Sequence, residues 1–152
     1  ATSDGHPLTP PEPEGTFQAE AMKKAFQMAK VDPSEVIHVN AHATSTKVGD
    51  ISEIKAIKKA FGPAAKNVVI SANKSSIGHT MSSAASIELI FSLLALKRQQ
   101  SSPTLNLEKQ DPECDLNCSA NRCIPFKSEY ALSNSFGFGG TNTSILIKGP
   151  ES

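Results

Sequence analysis

Two histidines each follow a short apolar run and are accompanied by residues that could bind a polar ligand. His42 comes after V-I-H-V-N-A and before A-T-S-T, and His79 ends the stretch K-S-S-I-G-H that follows N-V-V-I-S. In open α/β sheets, ligands bind beyond the carboxyl ends of the strands. The pattern therefore makes both histidines candidates for one polar site.

The surroundings of His79 indicate its chemistry. It precedes an apolar segment of helical length, and the positive end of a helix dipole favours an uncharged ring that can donate a hydrogen bond. The positive charge of Lys74 acts in the same direction. A structural interpretation stays open for each histidine: His42 could bond to a backbone carbonyl, and His79 could cap the helix beside a solvated Lys74.

A glycine-rich stretch, N-S-F-G-F-G-G-T-N, occupies residues 134–142. Glycines let a backbone approach a ligand closely, and exposed N–H groups there could hold an oxyanion. The alternative is a simple hairpin turn, although Phe136 and Phe138 would then need burial. The stretch is not a dinucleotide-binding loop, because it does not lead from a strand into a helix.

Three further polar residues have weaker claims. Glu88 lies in an apolar helix and needs a partner, because burying an unpaired charge is costly; a supporting or cation-binding role is open to it. His38 alternates with apolar residues and is expected to be a hydrogen-bonded residue on a sheet face. His6 lies in a proline-rich loop.

The three cysteines, Cys114, Cys118 and Cys123, are predicted to be ordinary reduced thiols. Their spacing is not that of a zinc ribbon, no histidine lies near them, and no secretory signal is visible. We therefore expect no metal site and no disulfide framework.

Composition and patterning favour one α/β domain. The chain has 152 residues and no net charge, which gives no bias towards nucleic acid, and its longest apolar stretch is too short to span a bilayer. Helical periodicity predicts helices over residues 16–30, 49–61 and 82–98, the last apolar on nearly every side and hence buried. Strands are predicted over residues 36–40, 67–72, 131–135 and 143–148. Residues 1–15 and 101–128 are predicted to be loops. This order predicts an α/β layer fold with helices on both faces of the sheet.

The stretches N-A-H-A-T-S-T, K-S-S-I-G-H and N-S-F-G-F-G-G-T-N, in this order, resemble the β-ketoacyl-acyl carrier protein synthases. The motifs P-T-L-N-L and D-P-E-C-D-L are also similar, and the resemblance runs from about Asp4 to Gly149. It implies that residues 1–152 are the C-terminal half of a condensing enzyme with a thiolase-like fold, an α/β half-fold with a mixed sheet. It also implies that the N-terminal half, which carries the nucleophilic cysteine, is absent, so the chain alone is expected to be inactive.

The resemblance implies a decarboxylative condensation of malonyl-acyl carrier protein with an enzyme-bound acyl chain in fatty acid biosynthesis. His42 and His79 would donate hydrogen bonds to the malonyl thioester oxygen, and Lys74 would support His79. Glu88 matches a buried glutamate of the family.

The same resemblance assigns the ligand-binding residues. Thr44 and Thr46 would bind the pantetheine arm. Phe138 would be the gating residue, and its backbone N–H would join the oxyanion hole for the acyl-cysteine, with Phe136 beside it. Gly139 would be a further substrate-binding residue. Substrates would be carried on the phosphopantetheine of acyl carrier protein, with no further cofactor.

The chain departs from the family pattern in two places. Ala43 stands where the family usually has glycine, and T-M-S-S-A-A-S follows His79 where leucine and glycine are usual. Two alternatives stay open: a ketosynthase domain of a polyketide or multifunctional fatty acid synthase, and a non-catalytic half-domain that binds acyl carrier protein or a partner chain. The family also implies a homodimer, in the cytoplasm or in a mitochondrion or plastid.

Overall fold

The structure, a computed structural model, describes residues 1–3 and 12–150. His6 and most of the predicted loop over residues 1–15 lie outside this range. In the described part the helices are α1 (Thr16–Ala29), α2 (Lys47–Phe61), α3 (Lys74–Ile77) and α4 (Ala84–Arg98). The strands are β1 (Thr2–Ser3), β2 (Val36–Asn40), β3 (Val69–Ser71), β4 (Tyr130–Gly137) and β5 (Thr141–Lys148). Short 3-10 helices occupy Pro33–Glu35, Gly62–Asn67 and Met81–Ser83.

The described strands form one mixed sheet in the order β1-β5-β4-β2-β3. Strand β2 is parallel to both β3 and β4, and Asn40 lies beside Ser71 on one side and Ser133 on the other. The carboxyl ends of these three strands therefore meet at one edge of the sheet. Strand β5 returns antiparallel to β4 after a short turn. The predicted mixed sheet is confirmed.

Helices cover both faces of this sheet. Helices α1 and α2 pack on one face, where Met22, Ile57 and Leu132 belong to the main apolar core. Helix α4 lies on the other face, where Leu96 packs with Ala131. Each helix thus packs an apolar face on the sheet, and the predicted arrangement of helices on both faces is observed.

The irregular segment over residues 101–128 protects the free edge of β3. The N–H of Ile70 donates to the carbonyl of Asn117 at 2.8 Å, and the N–H of Ala72 donates to Thr104 Oγ1 at 3.1 Å. An uncovered strand edge would invite pairing with other chains. The loop also brings residues 104–118 beside the carboxyl ends of the strands.

The prediction that α4 is buried on all sides is wrong in this chain. Ile90, Leu93 and Leu94 are exposed, with Ile90 57% accessible. One face of α4 packs on the sheet, and no other element of the described residues covers the opposite face. An apolar helix sequence shows that the helix can pack against other apolar surfaces. Whether a given face is buried depends on a second layer that packs against it.

Several predicted boundaries shift near the candidate site. Helix α2 begins at Lys47, two residues before the predicted start, and the short helix α3 at Lys74 was not predicted. Strands β4 and β5 extend to Gly137 and Thr141, so only residues 138–140 form the turn. Among the described residues, every helix is too short or too polar to cross a bilayer.

Candidate active site

The two candidate histidines meet at the carboxyl edge of the sheet. His42 follows β2 and His79 follows α3, and their ring centroids lie 5.8 Å apart with perpendicular planes. Phe136, near the end of β4, places its ring 5.7 Å from that of His42. Residues distant in the sequence are adjacent here because β2, β3 and β4 run in the same direction.

His42 is uncharged at neutral pH. Burial lowers its pKa to about 4, and the nearby charges of Lys74 and His79 act in the same direction. An uncharged imidazole can donate one hydrogen bond without carrying a net charge into the site. This is the protonation state required of a fixed donor to a developing oxyanion.

The backbone assigns the tautomer of His79. The N–H of Met81 donates to His79 Nδ1 at 3.3 Å, so Nδ1 is the acceptor and the ring proton lies on Nε2. Met81 holds this position with a φ of 53°, a left-handed conformation that is unusual for a residue with a side chain. The sequence contained no signal for this contact.

Glu88 and Lys74 form a buried ion pair behind the histidines. Lys74 Nζ lies 2.5 Å from Glu88 Oε1, and both side chains are almost inaccessible. Burial raises the pKa of Glu88, and the hydrogen bond from Lys74 opposes that rise. The partner expected for Glu88 is therefore Lys74, and the solvated Lys74 of the structural interpretation is wrong.

Glu53 is a structural element of the site that the sequence analysis missed. Its Oε1 accepts the N–H of His42 and its Oε2 accepts the N–H of Ala43, both at 2.9 Å. Asn134 Nδ2 also donates to Oε1 at 3.0 Å, which links α2 to β4. A carboxylate on the buried face of a helix was the available signal, as it was for Glu88.

The threonines predicted to bind pantetheine lie along a cleft of about 600 Å³ between α2 and residues 104–118. Thr44 and Thr46 line it together with Lys74 and His79. Thr46 precedes the first residue of α2, and its side chain makes no capping hydrogen bond; its hydroxyl lies 3.5 Å from that of Thr44, so the two hydroxyls stand together at the cleft. His42 and Phe136 are not among the lining residues and adjoin the cleft through His79.

The glycine-rich stretch divides into two parts. Phe136 is half-buried in β4 and contacts the core, whereas Phe138 lies in the turn and is 80% exposed. The expectation that both rings need burial is wrong for Phe138. Gly139 has a φ of 78° and Gly140 a φ of 77°, so the reversal of the chain requires both glycines.

The two cysteines at the cleft do not provide a reactive thiolate. Cys114 and Cys118 line the cleft, and burial raises the pKa of Cys118 to about 12. Burial also raises the pKa of Cys114. Both are therefore thiols at neutral pH, and His38 is likewise a structural group, buried and bonded to Ser71 Oγ at 3.0 Å.

A mixed sheet with helices on both faces and two imidazoles at its carboxyl edge defines a thiolase-like ketosynthase half-fold. Residues 1–108 match the family model described as "Beta-ketoacyl synthase, C-terminal domain", and the chain belongs to this family. It is 44% identical over 147 residues to 3-oxoacyl-[acyl-carrier-protein] synthase 2 of Staphylococcus aureus, and 43% identical over 146 residues to that of Mycobacterium bovis.

Solved structures agree with this assignment. A β-ketoacyl synthase from Burkholderia phymatum superposes with a TM-score of 0.90 at 37% identity, covering 98% of this chain and 36% of that one. A ketosynthase solved with its type II polyketide acyl-carrier protein gives a TM-score of 0.94 at 31% identity, with the same coverage. The alignment covers 97% of this chain but only 36% of the Staphylococcus relative, and 96% of this chain but 34% of the Mycobacterium one.

Proposed function

We propose that this chain forms the C-terminal part of a β-ketoacyl-acyl carrier protein synthase, an acyltransferase that extends fatty acyl chains. The observation that carries the proposal is the His42–His79 pair, with ring centroids 5.8 Å apart at the carboxyl edge of the sheet. Family membership and the similarity to 3-oxoacyl synthases support it.

In this proposal the malonyl group loses carbon dioxide, and the electron pair of the broken C–C bond moves onto the thioester oxygen. His42 and His79 Nε2–H donate hydrogen bonds to that oxygen and stabilise the enolate. The enolate carbon then attacks an acyl group held as a thioester on a cysteine outside this chain, and the cysteine leaves as a thiolate. Donors fixed in this way typically contribute about 3 kcal/mol each to the transition state.

The remaining predicted residues have supporting roles. Lys74, neutralised by Glu88, is a positioning residue near both histidines. Thr44 and Thr46 hold the pantetheine arm in the cleft, and the exposed Phe138 and Gly139 lie in a turn where their backbone could reach an acyl thioester. Phosphopantetheine enters as part of the substrate, on acyl carrier protein.

The exposed apolar face of α4 supports the proposal that a further protein layer completes the site. We assign that layer to the N-terminal half of the synthase, which would supply the nucleophile, and the family resemblance adds a homodimer. The cytoplasm, or a mitochondrion or plastid, is the proposed compartment. Bacterial relatives favour the first of these.

The test is reconstitution. The chain is co-expressed with the N-terminal part of the Staphylococcus relative, and release of labelled carbon dioxide from malonyl-acyl carrier protein is measured. We expect no condensation by the chain alone, activity in the combination, and a loss of at least about a hundredfold in H42A or H79A. K66A, at an exposed lysine outside the site, is the control. Unaltered turnover in H42A and H79A would refute the proposal.

A polyketide ketosynthase is the second candidate, favoured by the TM-score of 0.94 to a polyketide synthase component. Assay of the reconstituted enzyme with saturated acyl and polyketide-type primers separates the two. Specific binding of acyl carrier protein without any decarboxylation would instead indicate the non-catalytic half-domain.

A further inference from the structure

Two lysines stand at the exposed rim of the cleft that holds Thr44 and Thr46. Lys47 is the first residue of α2, and Lys109 lies in the loop that forms the opposite wall. Both are exposed, whereas Lys74, which also lines the cleft, is 8% accessible. The cleft therefore has a buried inner end beside the histidines and a positively charged outer rim.

Unlike Lys47 and Lys109, the remaining lysines of α2 have carboxylate partners. Lys55 and Lys59 pair with Glu14, and Lys58 pairs with Asp115. Within residues 1–3 and 12–150, neither Lys47 nor Lys109 lies within 4.0 Å of a carboxylate oxygen. Their ammonium groups are thus available to an anion.

Three acidic residues also line the cleft, Asp50, Glu53 and Asp111, and the carboxylate of each accepts a backbone N–H. Asp50 Oδ1 accepts the N–H of Ser45 at 3.2 Å, and Asp111 Oδ1 accepts the N–H of Glu113 at 2.9 Å. Among the cleft-lining charges that the structure describes, Glu53 and Lys74 have buried partners. The start of α2 adds the positive end of a helix dipole at Lys47.

We propose that Lys47 and Lys109 bind the phosphate of the phosphopantetheine arm while Thr44 and Thr46 hold its amide-bearing middle. The arm carries a thioester at one end and a phosphodiester at the other, which matches a cleft with histidine at its inner end and lysine at its rim. This inference rests on the proposed function, and it names the residues that would bind the phosphate end of the substrate arm.

The test compares 4′-phosphopantetheine with pantetheine, which lacks the phosphate, by calorimetric titration of the 152-residue chain. We expect phosphopantetheine to bind about five- to tenfold more tightly, as two exposed charge contacts allow. In K47Q/K109Q this preference should fall to less than about twofold. The double variant K66Q/K127Q, which removes the same charge at two exposed lysines outside the cleft, should retain it.

A second measurement needs no variant. Raising the salt concentration should weaken the binding of phosphopantetheine and leave that of pantetheine unchanged, because ions screen exposed charges. Equal affinity for the two ligands, or a preference for phosphopantetheine that survives in K47Q/K109Q, would overturn the role of the two lysines. It would leave the assignment of the cleft to the pantetheine arm in place. If neither ligand binds in the cleft, its assignment to the pantetheine arm fails as well, and the inference fails with it.

Discussion

The Glu53 carboxylate holds the backbone of His42, since Oε1 accepts the His42 N–H at 2.9 Å while Oε2 accepts the N–H of the next residue. The histidine is therefore positioned from α2, eleven residues further along the chain. A third donor, Asn134 Nδ2, ties the same carboxylate to β4.

Replacing Glu53 with glutamine should destabilise the chain. The amide group of Gln has one acceptor oxygen and one NH2 group. At least one N–H that Glu53 accepts would then face this NH2 group without an acceptor, at a cost of about 1–3 kcal/mol. Urea unfolding of E53Q measures the loss. E108Q, at an exposed glutamate, is the matched control, and equal midpoints for the two variants would contradict the role of Glu53.

His38 should make the chain sensitive to acid. Burial lowers its pKa to about 4, against an ordinary value of 6.5, so the unfolded chain takes up a proton more readily than the folded one. The contribution of neutral His38 to the free energy of unfolding is complete above pH 6.5. It is lost as the pH falls towards 4, and the total loss is about 3 kcal/mol.

The H38F variant tests this expectation, since its ring can stack on Phe126 as that of His38 does. The free energy of unfolding between pH 7 and pH 4 should fall less steeply in H38F than in the parent chain. His42 contributes a similar slope to both proteins. If the free energy of unfolding falls equally with pH in both proteins, the protonation of His38 is not linked to unfolding.

Ala43 adopts a φ of 36°, a left-handed conformation that costs a residue with a Cβ about 1–2 kcal/mol. A43G should therefore raise stability by about 0.5–1 kcal/mol, after allowing for the entropy that glycine loses on folding. The comparison is A25G in the middle of α1, which should lower stability by a similar amount. A thermal midpoint of A43G below that of the parent would contradict the prediction.

The Lys74–Glu88 pair should behave as a unit. Removing Glu88 alone, as in E88L, leaves a buried ammonium group without its partner and should cost about 3–5 kcal/mol. K74M/E88L replaces both charges with apolar groups and should recover most of that loss. A double-mutant cycle by chemical unfolding checks this, and additive losses would mean that the two groups are independent.

Much of this architecture follows from local sequence patterns. The strand Val36–Asn40 matches its predicted bounds, and α1 ends one residue before the prediction, because β-branched runs, helical periodicity and a closing Asp-Pro act over a few residues. The motifs around His42 and His79, together with the glycine-rich stretch at residues 134–142, were also sufficient to indicate the family.

Other features depend on the tertiary structure, because they are set by contacts between residues far apart in the chain. The 5.8 Å approach of His42 and His79 depends on parallel strand order, and the tautomer of His79 depends on a strained Met81. The burial of helix α4 also depends on tertiary contacts. Its composition suits it for burial on every side, but one face remains exposed because burial requires a second surface to pack against it.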